Sequence, residues 1–203
     1  KINIFSVGEV HAIEVRENGK LLVGGNFERI NGELCRNLVQ LNRDGSLDKS
    51  FDYSRNPFYN PIVYGIGAFS NGLFVIGGQY NAAIPPSIMN GLSMLNQTGH
   101  LIKNLFFPYG YFTQTSVPYI SIADEKLYAG TSVALTVNNQ TTQELLSYDV
   151  AGNASGVPVS SHFTQLYRYN GFFTQEDNGL IVFGRGIGYD GSTPASIIRI
   201  DPE

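Results

Sequence analysis

Tryptophan is missing from this 203-residue chain, cysteine occurs once and charge is sparse, and each shortage removes a class of explanation. A lone Cys35 forms no intrachain disulfide and supplies no thiolate metal cage, so it reads as a small apolar residue, buried or half-buried. Charged residues make up 15% of the chain, below the roughly 25% usual in soluble domains, with 13 Lys and Arg against 17 Asp and Glu. The resulting net charge of -4 offers no basic stripe, which argues against nucleic acid as a partner. With 42% hydrophobic residues, the composition also argues against disorder. No uninterrupted apolar run approaches the roughly 18 residues of a spanning helix, so no membrane insertion is expected. An initiator methionine and an apolar leader are lacking too, and the chain reads as a mature, trimmed or excised soluble piece.

Helical periodicity is scarce, because glycine or asparagine interrupts every apolar run. Short strands take its place. From His11 to Arg16 the pattern alternates, with Ile13 and Val15 on one face and Glu14 and Arg16 on the other. Lys20 to Gly25, KLLVGG, is apolar nearly throughout, as expected of a strand covered on both sides. Four segments share this strand and its glycine: KLLVGG, LFVIGG, EKLYAGT and LIVFGR. Aligning Gly24, Gly77, Gly130 and Gly184 gives spacings of 53, 53 and 54 residues. A second anchor keeps the same period, since LVQLNRDG, LSMLNQTG and LLSYDVAG end at Gly45, Gly99 and Gly152. Each of these glycines follows an Asn or Asp by three residues, which marks a turn. Asn18-Gly19 and Asn71-Gly72 add hairpin signals, because both residue types tolerate positive φ.

About four antiparallel strands recurring at this period is the sequence pattern of propeller blades, so the expected fold is an all-β β-propeller. The repeats fall at approximately 10–56, 63–110, 117–163 and 169–203, in a single propeller domain or part of a larger propeller. Lys1 to Gly8 precedes the first repeat and resembles the strand missing from the fourth, with Phe5 standing where Phe51 stands. Residues 1–8 are then a possible closing strand for a four-bladed ring, residues 2–7 pairing with Ser196 to Ile200. The competing expectation is a run of consecutive blades from a larger ring, leaving two edges for a partner to cover.

Val10 to Phe51, VHAIEVRENGKLLVGGNF followed by RNLVQLNRDGSLDKSF, resembles the delta-60 repeat of bacterial and phage β-propellers. The second copy keeps NG, GG, LN and a TG turn but loses the acidic SLD, and later copies keep only strands and glycines. The resemblance implies a propeller in a large secreted, surface-anchored or virion protein, and it implies no catalytic residues.

No chemistry-bearing constellation emerges beside it. His11, His100 and His162 share neither metal-ligand spacing nor the repeat period, and no nucleophile elbow has a strand-then-helix context. NRDGSLD, Asn42 to Asp48, alternates oxygen side chains like a calcium loop, yet Gln40 and Phe51 stand where such a loop needs Asp and Glu. An Asx-stabilised turn is the better reading. The expected function is therefore non-catalytic, an interaction scaffold with no cofactor and no metal. Its expected partners are other protein chains or the remaining domains of a larger protein, with a glycan as the alternative.

Charge distribution supplies the candidate surface. Residues 57–123 contain one charge, Lys103, and 12 of the 25 Phe and Tyr residues, after 56 residues bearing 16 charges. Connectors such as Asn56 to Pro61 and Pro108 to Thr115 would present tyrosines from one face. Tyr53, Tyr59, Tyr80, Tyr109 and Tyr111 are the candidate contact residues, expected to be partly exposed; the opposing expectation packs these rings between blades.

Overall fold

The computed structural model describes residues 8–56, 58–82, 91–105, 117, 119–130, 135–137, 140–142, 145–154, 163–189 and 195–201. Every regular element among them is a β-strand, and all pairings are antiparallel. Four sheets follow one another along the chain. The first is ordered β1 (Gly8–Val15), β2 (Leu21–Phe27), β5 (Leu38–Leu41), with the small hairpin β3 (Arg29–Ile30) and β4 (Glu33–Leu34) between its last two strands. The second runs β6 (Phe58–Ala68), β7 (Phe74–Ala82), β8 (Leu92–Leu95), β9 (Leu101–Asn104). The third runs β10 (Tyr119–Ala123), β11 (Lys126–Gly130), β14 (Leu145–Tyr148), again with a hairpin, β12 (Leu135–Val137) and β13 (Gln140–Thr142), inserted. The fourth runs β15 (Phe163–Thr174), β16 (Leu180–Tyr189), β17 (Ala195–Ile200). Four strands per repeat were expected, and the second sheet has them. In the first and third, the isolated bridges Leu41–Leu47 and Tyr148–Ala154 stand just past the turn where a fourth strand would start.

The turns explain the sequence anchors. In each of three repeats the glycine N–H donates to the Asx carbonyl three residues back: Gly45 to Asn42, Gly99 to Asn96, Gly152 to Asp149. All three glycines have positive φ, 87°, 90° and 74°, which a side chain would resist. Between the first two strands of the third sheet the turn tightens to Asp124 and Glu125, both at positive φ.

Four hydrophobic clusters lie in series. Val23, Phe27, Val39 and Leu41 pack on the side of the first sheet that faces away from the second, under Ile30 and Cys35. Leu22 and Leu38 of the first sheet meet Val63, Ile66, Phe74 and Ile76 of the second. Val75, Leu92 and Met94 of the second meet Leu127, Ala129, Leu146 and Tyr148 of the third. Tyr128 and Leu145 of the third meet Phe172, Leu180, Val182 and Ile187 of the fourth. Residues 57–123 thus contain the second sheet, which has an apolar cluster on each face. Phe69 and Phe74 are buried there, and the stretch read as a connector from Asn56 to Pro61 already enters β6 at Phe58.

Register refines the glycine series. Gly24 pairs with Leu38, Gly77 with Leu92 and Gly130 with Leu145, whereas the residue at this level in the fourth sheet is Phe183, opposite Ile197. Gly184 lies one place further on, level with Gly25 and Gly78. Gly25, Gly78 and Gly184 each sit next to a bulge in the first strand of their sheet, at His11, Tyr64 and Asn170 respectively. The alignment of Gly184 with Gly24 is therefore corrected by one residue. A Cβ on Gly25 or Gly78 would strike the carbonyl of Glu9 or Ile62 beside the bulge, so this second glycine serves the bulge and the first serves packing. The expected closing strand, residues 2–7, lies outside the described residues.

Candidate functional site

Arg16 directly follows β1 and reaches between two sheets. It is 9% exposed, donates from Nη1 to Gln40 Oε1 (2.9 Å) and from Nη2 to the Gly72 carbonyl (2.5 Å), and lies 5.7 Å above the Phe74 ring. Asp48 completes this network, accepting from Lys20 Nζ at 2.8 Å and Gln40 Nε2 at 2.5 Å. Burial works to raise the Asp48 carboxyl, but the hydrogen bonds from Lys20, Ser50 and Gln40 outweigh it and hold it well below the usual carboxylate range. Lys20 and Asp48 form an ion pair and Arg16 is held by Gln40 and by the Gly72 carbonyl of the second sheet, which makes the cluster a joint between sheets.

The same hydrogen-bonding habit accounts for the calcium-like loop. Asp44 Oδ1 accepts from the backbone N–H and hydroxyl of Ser46, and Asp48 and Asp52 do the same with Ser50 and Ser54. Three Asp-x-Ser turns in tandem use carboxylate oxygens that a cation would need. Among the described residues no group of three His, Cys, Asp or Glu is placed to hold a metal ion. His11 stacks on Tyr64 with ring centroids 4.9 Å apart, and burial pushes the half-buried Cys35 thiol up, away from the reactive thiolate.

Of the five candidate tyrosines, Tyr53 is placed within the cluster joining the first and second sheets and is 7% exposed. It was expected on the surface; instead the chain turns back after Phe51, and the Tyr53 ring follows Phe51 onto the sheet junction. Tyr59 lies in β6 and its backbone pairs with Asn81, and Tyr80 lies in β7. The side chains of Tyr59 and Tyr80, and Tyr109 and Tyr111 altogether, lie outside the described residues. Tyr53 borders a cavity of about 600 Å³ between the first two sheets, with Asn26, Glu28, Arg36 and Asn56 on its wall. A second cleft, about 510 Å³, opens at the hairpin ends of three sheets and is lined by Glu14, Glu17, Ser70, Asp124 and Glu125.

The largest departure from an inert surface lies at the two ends of the series of sheets. On β1, Val10, Ile13 and Val15 are 37%, 55% and 67% exposed. On the fourth sheet, Phe173 and Phe183 are exposed with centroids 6.5 Å apart, beside exposed Ile197. Sequence reasoning offered two uncovered ends as one of its two expectations but assigned none of these residues to them.

A family model described as "Domain of unknown function (DUF5122) beta-propeller" matches residues 17–51. No curated protein matches the chain. Among solved structures, the extracellular domain of BT4673 from B. thetaiotaomicron is similar in fold in two crystal structures, at 16% and 14% identity, each with a TM-score of 0.55. These matches cover 92% of this chain but only 21% and 22% of theirs, so the chain spans about a fifth of those domains. The computationally designed Ika4 protein is similar at 10% identity and a TM-score of 0.56, with 90% of this chain and 92% of the designed one covered.

Proposed function

We propose that the chain is a non-catalytic interaction module: four propeller blades of the delta-60 repeat type, acting within an extracellular, cell-surface or virion protein. The observation that carries this reading is the contrast between covered and uncovered sheet faces. Three junctions between successive sheets are filled by apolar clusters, while both end faces keep large apolar side chains in solvent. Exposed apolar surface of this kind marks association sites. The DUF5122 beta-propeller match over residues 17–51 and the likeness to an extracellular domain support the architecture and the compartment. Binding without turnover is the expected behaviour. The purified chain should leave chromogenic ester, phosphate and glycoside substrates intact, and its association with partner proteins should be lost in Ile13→Asp or Phe173→Asp. Turnover that co-purifies with the chain and survives both substitutions would replace this reading with an enzymatic one.

A glycan ligand is the second reading, favoured by the amide-lined cavity beside Tyr53. Alanine at Tyr59 or Tyr111 would then weaken glycan binding by about 1–2 kcal/mol in a glycan array titration. Unchanged binding in both variants removes the tyrosines from the site.

A further inference from the structure

Asn-Gly steps occur at Asn18, Asn31, Asn71, Asn90, Asn170 and Asn178. This dipeptide is prone to attack on itself, because glycine carries no side chain to hinder its nitrogen from approaching the asparagine amide. Asn90 lies outside the described residues, and hydrogen bonding separates the others. The Gly19 N–H donates to the Arg16 carbonyl (2.7 Å), and Asn18 Oδ1 accepts from the Lys20 N–H (3.0 Å). The Gly72 N–H donates to the Phe69 carbonyl (3.1 Å), and Asn71 Oδ1 accepts from the Leu73 N–H (2.9 Å). The Gly179 N–H donates to the Asp177 carboxylate (3.2 Å), and Gly171 is buried within β15. Asn31-Gly32, the tip of the β3–β4 hairpin, differs in each respect. Both residues are exposed, a Cβ on Gly32 would meet nothing within 4 Å, and among the described residues the Gly32 N–H donates to no group. Arg29 Nη1 donates to the Gly32 carbonyl (3.0 Å), which places positive charge beside the nitrogen that must lose its proton.

We propose that Asn31 is a self-modification site, whose conversion to aspartate or isoaspartate unlatches the β3–β4 hairpin from the turn after β5. Gly32 N gives its proton to solvent base and attacks Asn31 Cγ. The new C–N bond closes a succinimide, and the side-chain nitrogen takes a proton from water and leaves as ammonia. Water then opens the ring. Opening at Cγ leaves aspartate, whereas opening at the Asn31 main-chain carbonyl leaves isoaspartate, with the chain running through the former side chain. The balance is one water in and one ammonia out, with no change of oxidation state. The latch belongs to the same side chain: Asn31 Nδ2 donates to the Gly45 carbonyl at 3.0 Å. Either product replaces that donor by a carboxylate, so an acceptor faces an acceptor. Isoaspartate also adds a main-chain atom to the turn and disrupts the pairing of Arg29 with Leu34 and Ile30 with Glu33. Ile30, fully buried against the first sheet, then depends on the Glu33–Lys49 ion pair to hold its hairpin in place. This inference is independent of the interaction-module reading.

Peptide mapping by mass spectrometry of the folded protein, held at mildly alkaline pH, reads the site directly. Asn31 should convert about tenfold faster than Asn18 or Asn71, since each of those must first give up two hydrogen bonds. In urea, where no turn persists, the three rates should converge. Equal or slower conversion of Asn31 in the folded protein overturns the site, and a preference that persists undiminished in urea overturns its structural basis. Unlatching is read in Asn31→Asp. Hydrogen exchange at Ile30 and Glu33 should quicken there while β2 keeps its protection, and unchanged exchange overturns the latch. Should Asn31→Asp fail to fold, the converted fraction of aged wild type, separated by its added negative charge on anion exchange, gives the same two outcomes.

Discussion

Single atoms decide the glycine positions. At Gly24 an added methyl meets side-chain atoms of Val63 and Ile66, whereas at Gly77 it meets the backbone carbonyl of Val117, which yields less readily. Overpacking of this sort costs about 1–3 kcal/mol, so Gly77→Ala should fall at the upper end and Gly24→Ala at the lower. Urea unfolding of the two variants checks the order, and equal midpoints would show that the sheets slide apart freely. Asp48 supplies a second residue-scale prediction. Its carboxyl is held below its unfolded value near 3.9, so its contribution is complete above that pH and is lost as pH falls through the folded value. Asp48→Asn should cost about 1–3 kcal/mol at pH 7, since the carboxylate ties Lys20 and Gln40 together. The gap between wild type and variant should begin to narrow below about pH 4, where the unfolded chain takes up the proton while the folded carboxylate still resists it. A gap that stays constant down to pH 2 would assign the cost to packing.

Between elements, the segment after β5 acts as a strap from one repeat to the next. Asn56 donates from Nδ2 to the Gly99 carbonyl and accepts from the Leu101 N–H, both at 2.7 Å, while Phe51 lies against Gly99 in the second sheet's turn. Asn56→Ala leaves the Leu101 N–H without its acceptor and should destabilise the protein by about 1–2 kcal/mol, measured by thermal or urea unfolding. These elements were legible in the sequence to different degrees. Strands and turns followed from local chemistry: Asn or Asp three residues before glycine marks a turn, and the hairpins at Asn18-Gly19 and Asn71-Gly72 close with positive φ at the glycine and not at the asparagine. Register was harder, because a glycine that clears a bulge and a glycine that clears a neighbouring sheet look the same in one dimension. Gly184 was matched to the wrong one of the pair for that reason. Tyr53 was misplaced for another: turn residues next to a sheet junction are drawn inward by apolar area, and composition carries no sign of the direction. The end faces depend on what does not pack against them, which no local pattern encodes.

At the scale of the whole molecule, the four clusters form a chain in which each sheet shares a core only with its neighbours. Among the described residues, the first and fourth sheets contribute none to a common cluster. Stability in such a series is close to a sum of sheet and junction contributions, as in repeat proteins, and the ends open before the middle. Leu180 tests this, being 2% exposed and confined to the junction of the third and fourth sheets. Leu180→Ala should cost about 2–5 kcal/mol through the cavity it leaves. Hydrogen exchange should quicken at Ile181 to Phe183 and at β17, quicken less at Leu127 to Ala129, and stay unchanged at Leu22 and Val23 of the first sheet. Were the first sheet to lose protection in step with the fourth, the two ends would have to support one another, and the molecule would behave as a closed ring. Unchanged protection at Leu22 with a loosened β16 instead means that each end face is free to take a partner without unsettling the other.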